Sequence, residues 1–225
     1  MLTTSLRVRL VAETVGAAGL LTAVVGSGVM AQRLTDDVGL QLLVNAAATA
    51  AVLGVLICAF GPLSGAHLNP AVTLTLAVRR AHEWRAVAPY VVAQLVGAVL
   101  GTALANLMFE LPALHLSHHE RTGSGLWLGE VVATAGLVLI VFGSLRAGRL
   151  ENVAFAVGGY IAAAYWFTSS TSFANPAVTL ARTLTDSFAG IAPASAPVFV
   201  LMQLVGGAVG LALLTLLHPT PRATP

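Results

Sequence analysis

The sequence predicts an all-α membrane protein with six transmembrane helices and two re-entrant half-helices. Three observations predict it: a composition too apolar for a soluble domain, apolar runs of spanning length, and a short motif that occurs twice. Of the 225 residues, 57% are hydrophobic and only 9% are charged, whereas soluble domains carry about 25% charged residues. Such a composition is typical of a chain that is surrounded largely by lipid.

Six apolar runs are each about as long as the roughly 20 residues that a helix needs to cross a bilayer. They lie at 8–31, 39–62, 86–109, 125–145, 150–168 and 195–218. Glu13 interrupts the first run early. The repeat described below places it in the folded protein, so we expect a span there and not a cleaved signal peptide.

The arginines between these runs orient the chain. With a cytoplasmic N-terminus, the cytoplasmic arginines are Arg7, Arg9, Arg79, Arg80, Arg85, Arg146, Arg149 and Arg222, and the outer ones are Arg33, Arg121 and Arg182. Positive residues are enriched on the cytoplasmic side of membrane proteins. We therefore expect both termini in the cytoplasm.

Three segments of the first half recur in the second. NPAVTL occurs at 69–74 and 175–180, QLVGAVLG at 94–101 matches QLVGGAVG at 203–210, and AETVGAAGL at 12–20 matches GEVVATAGL at 129–137. Each half contains three crossings, so the second half enters the membrane from the opposite side. The sequence predicts inverted repeats, at approximately 8–110 and 125–218, within one transmembrane domain that covers residues 1–225.

The two NPAVTL segments are too short to cross a membrane, since each allows only about two to three helical turns. Proline is well tolerated at the first position of a helix. Asn69 and Asn175 are therefore predicted N-caps, and Pro70 and Pro176 are predicted to begin two half-helices. A single copy would indicate an ordinary helix start in a surface loop. Two identical copies at equivalent places favour half-helices whose N-termini meet near the bilayer midplane.

These motifs resemble the aquaporin, or major intrinsic protein, family, and the resemblance extends over nearly the whole chain. SGAHLNPAVT at 64–73, the second NPA at 175–177 and the repeated Glu and Gln–Gly segments carry it. The resemblance implies one channel per subunit and a homotetramer of four subunits. The pore-centre residues that it implies are Asn69, Pro70, Ala71, Asn175, Pro176 and Ala177.

The expected mechanism is passive permeation of uncharged solutes. The two asparagine amides would donate hydrogen bonds to a passing hydroxyl or water oxygen. Two half-helix N-termini, each carrying about half a positive charge, would oppose cations and relayed protons. We expect no catalytic residue, no cofactor, no bound metal and no nucleic-acid partner.

The predicted selectivity filter departs from that of water-selective relatives. Those proteins have arginine directly after the second NPA, where this chain has Val178. Counting without gaps from the two motifs places Thr49 where water channels have phenylalanine and Ala163 where they have histidine, and the fourth position is Ser172. A shift of one residue from Ala163 in either direction would again give alanine. These side chains predict a wide filter without a bulky or charged group.

The small side chains of the predicted filter favour permeation of glycerol-sized neutral solutes over strict water selectivity. Valine in place of arginine resembles a bacterial subgroup of aquaglyceroporins associated with arsenic resistance, which implies the bacterial inner (plasma) membrane. Arsenous acid is a neutral trihydroxide near pH 7 and is similar to glycerol in its hydrogen bonding. The expected permeants are therefore arsenous acid, glycerol and water. The Thr49 hydroxyl either faces the solute or bonds the carbonyl four residues back.

Arg182 and His67 each have two interpretations. Arg182 lies one turn beyond Val178 and about 40° around the helix. It either faces the outer vestibule and supplies the anti-cation charge that the filter lacks, or is a solvated residue paired with Asp186. His67 is expected beside the pore on the cytoplasmic side, with a possible effect of pH, or bonded to loop backbone.

Other polar residues suggest competing functions. The resemblance implies that Glu13 and Glu130 hold the two loops, with a similar role for Gln94 and Gln203. A proton relay in an ion-coupled secondary transporter is the alternative, and a water-selective channel is another. An intramembrane hydrolase would need Ser64 paired with His67.

Two further patterns have simpler explanations. His115, His118 and His119 are expected in an exposed outer loop, because a metal site would need ligands that converge in space. Two GxxxG patterns predict close helix contacts, and they are formed by Gly97, Gly101, Gly206 and Gly210.

Overall fold

The structure, a computed structural model, describes residues 4–146, 148 and 150–217, and within them it contains helices and loops but no β-strand. The long helices are α1 Leu6–Leu34, α2 Val38–Ser64, α4 Trp84–Met108, α5 Ser124–Arg146, α6 Leu150–Phe167 and α8 Ala196–Leu217. The short helices are α3 Pro70–Val78 and α7 Pro176–Ala181, and a 3-10 turn, Arg182–Leu184, continues α7. Arg149, Arg222 and the last residue of the predicted span 195–218 lie outside the described residues.

The long helices have the length and surface of membrane spans. In the described part of the chain, α1, α2, α4, α5 and α8 are long and apolar enough to cross a bilayer, and α6 is a shorter apolar helix of 18 residues. Large apolar side chains are exposed around the outside, among them Phe155 and Leu216 at 85% and 78%. Lipid is the solvent that such a surface requires. The predicted fold class is confirmed, and the chain is a multi-pass membrane protein.

Helices α1 and α4 pack unusually closely because α4 carries glycine at the contact. Gly97 lies against the backbone carbonyl of Thr14, and Gly101 lies against that of Ala18, so closely that a Cβ atom at either glycine would collide with the carbonyl oxygen. Only glycine permits this approach of two helix backbones. The GxxxG pattern of α4 thus sets the distance between α1 and α4.

Helices α5 and α8 make the equivalent contact in the second half. A Cβ on Gly206 would lie 2.6 Å from the carbonyl oxygen of Val131, and one on Gly210 would lie 2.8 Å from that of Ala135. Both distances are too short for real Cβ atoms. Each half therefore contains one closely packed helix pair that is fixed by two glycines.

We predict that Gly97→Ala lowers the free energy of unfolding by about 1–3 kcal/mol, the usual cost of overpacking a close contact. Thermal unfolding of the detergent-solubilised protein measures it. Gly143→Ala is the matched control, because Gly143 also lies in a helix but a Cβ there has nothing within 4 Å. The control should unfold at or slightly above the wild-type temperature, since alanine favours a helix. Equal unfolding temperatures for the two variants would contradict this account of the packing.

Candidate pore

The two short helices begin in the same way. Asn69 precedes α3, and its Oδ1 accepts a hydrogen bond from the Ala71 N–H at 2.9 Å. Asn175 precedes α7, and its Oδ1 accepts from Ala177 at 3.0 Å and from Val178 at 3.3 Å. A proline follows each asparagine at a position where its missing N–H costs nothing. Both asparagines are therefore N-caps.

The same asparagines join the two half-helices. Asn69 Nδ2 donates to the Ala174 carbonyl at 2.8 Å, and Asn175 Nδ2 donates to the Leu68 carbonyl at 2.8 Å. Each half-helix thus binds the loop that leads into the other. The reciprocal pair brings the two helix N-termini, and their partial positive charges, to one point in the molecule.

The loops before the half-helices share an uncommon backbone conformation. Ala66 and Leu68 have φ angles of 45° and 49°, and Ser172 and Ala174 have φ angles of 50° and 47°. These residues lie three and one positions before the respective asparagines. Left-handed backbone costs a residue with a Cβ about 1–2 kcal/mol, so these loops need support from their surroundings.

Glu13 supports the first loop. Its carboxylate accepts hydrogen bonds from the backbone N–H of His67 at 3.0 Å and of Leu68 at 2.8 Å. The Ser64 hydroxyl and Gln94 Nε2 donate to the same carboxylate, at 2.6 and 2.7 Å. Glu13 is fully buried, and these four donors replace the water that it has lost.

Glu130 makes the corresponding contacts with the second loop. It accepts from the backbone N–H of Phe173 and of Ala174, both at 2.9 Å, and from Gln203 Nε2 at 2.6 Å. Glu130 is likewise fully buried. The two glutamates occupy equivalent places on α1 and α5 and bind equivalent backbone groups.

The two glutamines connect each glutamate to its half-helix. Gln94 Nε2 donates to the Thr73 hydroxyl at 3.0 Å, and Gln203 Nε2 donates to the Thr179 hydroxyl at 2.7 Å. Both threonines follow their capping asparagine by four residues and donate to its carbonyl, at 3.0 and 2.9 Å. A buried polar chain therefore joins the long helices to the start of each half-helix.

A cavity of about 690 Å³ passes both asparagines. It extends from the turn after α3, at Arg80–Trp84, to Val178 and Arg182 at the end of α7. Its apolar wall consists of residues spaced mainly four apart on four helices: Leu20 and Val24 on α1; Leu53 and Ile57 on α2; Leu137, Val141 and Leu145 on α5; and Val153, Val157 and Ile161 on α6. Polar groups of the two loops form the opposite side. Glu13 and Glu130 do not line it.

Three of the four predicted filter residues line this cavity: Thr49, Ser172 and Val178. The Thr49 hydroxyl accepts a hydrogen bond from the Tyr165 hydroxyl at 3.2 Å. This contact was not among the two expected for it, which were a solute in the pore and the carbonyl four residues back. Ser172 Oγ is buried and has no hydrogen-bond partner among the described residues. The assignment of these residues to a selectivity filter stays a prediction.

The prediction for Ala163 is wrong. Ala163 lies on the exposed face of α6, and the cavity is lined instead by Tyr165. Ala162 and Ala164 do not line it either. Counting back from the second NPA without gaps gives a position two residues before Tyr165. Two residues correspond to a rotation of about 200° around the helix, so the count selects the opposite face of α6. The spacing 153, 157, 161 and 165 was the available signal, because it marks one face of α6.

Arg182 is neither solvated nor paired with Asp186. Its side chain is 1% exposed and lines the cavity. Its Nε donates to the Ala189 carbonyl, and its Cζ lies 3.5 Å from the ring centroid of Phe173. Together with Tyr165, it corrects the expectation that no bulky or charged group lines the filter region.

His67 lies at the other end of the cavity. Its Nδ1 is 3.1 Å from the Thr73 hydroxyl, so its ring is bonded to a side chain and not to loop backbone. Its ring packs against those of His82 and Tyr90, with centroids 4.7 and 5.1 Å away. The guanidinium of Arg9 lies 5.8 Å from the Tyr90 ring. No sequence motif marks this aromatic cluster, because its members come from separate segments of the chain.

The Ser64–His67 pair that a hydrolase would need does not form. Ser64 Oγ donates to Glu13 Oε1, and the His67 ring faces Thr73. A hydrolase would need the serine hydroxyl within hydrogen-bond reach of the histidine. The two residues instead take part in holding the first loop and its half-helix.

The histidines of the third loop surround Asp186. His118 donates to it from its backbone N–H at 2.8 Å, and its ring Nδ1 lies 3.1 Å away. The Asp186 N–H donates to His115 Nε2 at 3.0 Å. The hydrogen bonds from His118 lower the pKa of Asp186. In the part of the chain that the structure describes, no group of three or more potential ligands is arranged to hold a metal ion.

The profile of the family described as major intrinsic protein matches residues 2–152 and 144–224. The chain belongs to the major intrinsic protein family. Aquaglyceroporin AqpS of Rhizobium meliloti (strain 1021) is 53% identical over 212 residues, which cover 94% of this chain and 91% of that protein. Aquaporin NIP1-1 of Zea mays is 36% identical over 111 residues, 48% of this chain and 39% of the plant protein.

A solved structure also shares the architecture of this major intrinsic protein. The X-ray structure of the aquaglyceroporin from Plasmodium falciparum matches with a TM-score of 0.74 over 93% of this chain and 96% of that chain. The sequence identity is 19%, so this match concerns the fold. It supports the arrangement of six long helices and two half-helices described above.

We predict that acid destabilises this protein partly through His82, which lies in the turn between α3 and α4. Burial and, secondarily, Arg9 lower the pKa of His82 from its ordinary value of 6.5. As the pH drops below about 6.5, His82 becomes protonated in the unfolded chain before it does so in the folded protein. The free energy of unfolding therefore falls. His82→Phe, which keeps a ring beside His67 and Tyr90, should lose less stability between about pH 7.5 and pH 5.5. Thermal unfolding measures the difference, and identical losses in both proteins would contradict the assignment.

Proposed function

We propose that this protein is a passive channel for small uncharged solutes, among them arsenous acid, glycerol and water. The observation that carries the proposal is the reciprocal contact of two half-helix N-termini inside one cavity. This contact would put amide donors beside a passing solute. Membership of the major intrinsic protein family supports the channel class.

The two asparagines are the proposed pore centre, together with Pro70, Ala71, Pro176 and Ala177. Each Nδ2 uses one hydrogen for the opposite loop, and an asparagine amide has two. The second hydrogens are available to an oxygen in the cavity, which both side chains line. The half-helix dipoles at the same point make it unfavourable for a cation.

The cavity has an apolar side and a polar side, as a polyol or a small hydroxide requires. Hydroxyl groups can bond to the asparagines and to Ser172, while carbon or arsenic faces the aliphatic wall of α1, α2, α5 and α6. Such a solute loses part of its hydration on the apolar side without leaving a charge unsolvated. This two-sided lining supports neutral solutes with several hydroxyl groups.

The proposed filter consists of Thr49, Tyr165, Ser172 and Val178. Val178 occupies the position next to the second NPA, and its short side chain leaves room that an arginine would fill. The Tyr165 hydroxyl is bonded to Thr49, and both side chains line the cavity. This room is the reason to prefer solute permeation over strict water selectivity. The 53% identical relative is named an aquaglyceroporin, which agrees with this preference.

The remaining organisation follows from the repeated contacts. We infer one channel domain over residues 1–225, built from inverted repeats at approximately 8–110 and 125–218, because each half anchors its loop through the same residue types. The excess of cytoplasmic arginines supports cytoplasmic termini in a bacterial inner membrane. The homotetramer rests on the usual assembly of the family.

We predict fast uptake of arsenous acid and of glycerol by proteoliposomes. Stopped-flow light scattering measures reswelling driven by each solute and shrinkage driven by an impermeant osmolyte. Reswelling should be faster than in protein-free vesicles, because the filter has room beside Val178. Val178→Arg should slow glycerol about tenfold while water still passes, since pore width governs both. Fast water flux without uptake of either solute would contradict the proposal and support a water-selective channel.

We predict that Glu13→Gln leaves the passive glycerol flux of the folded protein largely intact, because Glu13 supports the loop from outside the cavity. The amide would face backbone donors with an N–H group, so the free energy of unfolding should fall by about 1–3 kcal/mol. Glu130→Gln is the matched variant in the other half. The measurements are glycerol flux with and without a proton gradient, and thermal unfolding. Proton-driven accumulation in the wild type that disappears in Glu13→Gln, with passive flux retained, would favour an ion-coupled transporter.

A further inference from the structure

We propose that Arg182 excludes cations from the filter, so that charge selection and size selection are carried by different residues. The guanidinium comes from one helical turn beyond the position next to the second NPA, which is occupied by Val178. This inference rests on the proposed channel function. Four observations carry it: the position of the side chain, its anchoring, its unpartnered donor and its uncompensated charge.

The position of Arg182 connects it to the filter. Arg182 is among the largest fully buried side chains of the described residues, and it lines the same cavity as Val178 and Ser172. It follows α7 directly, at the first residue of the 3-10 turn. Four residues make about one helical turn, so the two side chains leave the same side of the chain. Arg182 therefore lines the same cavity as the proposed filter residues without taking the position next to the second NPA.

The guanidinium is held by two groups. Its Nε donates to the Ala189 carbonyl, and its plane lies over the ring of Phe173, whose centroid is 3.5 Å from Cζ. The backbone of Phe173 is bonded to Glu130, and its ring packs against that of Phe199 at 5.3 Å. The loop anchor that supports the second half-helix thus also fixes the ring that supports Arg182.

One end of the guanidinium has an unused donor. Arg182 Nη1 is buried and has no hydrogen-bond partner in the described part of the chain. Ser172 Oγ, which lines the same cavity, is also buried without a partner there. Buried donors without a protein partner are rare and point to a partner that is not protein. An oxygen of a permeating solute is a chemically suitable partner for both groups.

No described carboxylate forms a salt bridge with Arg182. Among the described residues, none of its nitrogens lies within 4.0 Å of an Asp or Glu oxygen. The second arginine at this end, Arg121, lies over the same Phe173 ring at 5.1 Å but does not line the cavity. A full positive charge in a partly apolar cavity raises the free energy of any cation there. A neutral solute meets no such penalty and gains a donor.

The test removes the charge and keeps the volume. Arg182→Met and Arg182→Gln are both neutral, and glutamine retains a donor for the Ala189 carbonyl. Arg182→Lys retains the charge. Arg33→Met is the matched control, because Arg33 also donates to a carbonyl and lies 5.0 Å from a phenyl ring, both of Phe109, but is exposed.

Proteoliposomes that contain a pH-sensitive dye report proton and sodium leak under an imposed potential, and the same vesicles report glycerol reswelling. We expect both neutral variants to raise the cation leak about tenfold or more, while glycerol reswelling stays faster than in protein-free vesicles. Arg182→Lys and Arg33→Met should keep the wild-type leak. Val178→Leu should show the reverse pattern, with slower glycerol and an unchanged leak.

Two results would overturn the proposal. The first is a neutral variant that still passes glycerol and excludes cations as well as the wild type does. The half-helix dipoles would then suffice to exclude cations without Arg182. The second is a leak that rises equally in Arg33→Met. Failure of the proposed channel function itself gives a different result, since the wild-type protein would then pass neither glycerol nor arsenous acid.

Discussion

Two buried carboxylates hold the pore loops in a conformation that those loops would not adopt alone. The first loop contains two residues with Cβ atoms at positive φ and the second contains three, and in each loop two backbone N–H groups donate to one glutamate. The left-handed residues and the glutamate act together, because the left-handed conformation turns consecutive backbone N–H groups toward the same carboxylate. The carbonyls of Leu68 and Ala174 are thereby turned toward the opposite asparagine. Without the anchors the half-helix N-termini would have no fixed meeting point.

The closely packed helix pairs give those anchors their geometry. Glu13 lies on α1 and Gln94 on α4, and their side chains meet at 2.7 Å because Gly97 lets the two backbones approach. The contact of Gln203 with Glu130, at 2.6 Å, depends in the same way on the glycines of α8. A GxxxG pattern in this protein therefore does more than join helices. It places an amide donor where a buried carboxylate needs one, and the pore loop depends on both.

Sequence reasoning predicted the elements whose signal is local and repeated. The two NPAVTL copies, the apolar runs and the Glu and Gln echoes each appear as short identical strings, so the fold and the joined half-helices followed from them. The prediction of Ala163 as a filter residue was wrong because it depended on the length of the segment between α6 and α7, and counting residues in the sequence does not reveal that length. Arg182 stayed ambiguous for a related reason: its hydrogen bond to the Ala189 carbonyl depends on how the loop after α7 folds back. No pattern within α7 encodes that path.

In the proposed filter, charge and width are separable because they depend on different residues. An arginine next to the second NPA would both narrow the passage and carry the charge. In the proposed filter Val178 takes up less of the passage than an arginine would, and the charge comes from Arg182, whose guanidinium lies over the ring of Phe173, a residue bonded to Glu130. A cation on the apolar side of the cavity loses its hydration and meets both a guanidinium and two helix N-termini. A neutral trihydroxide loses far less and finds donors at the same points, so a wider filter can still discriminate by charge.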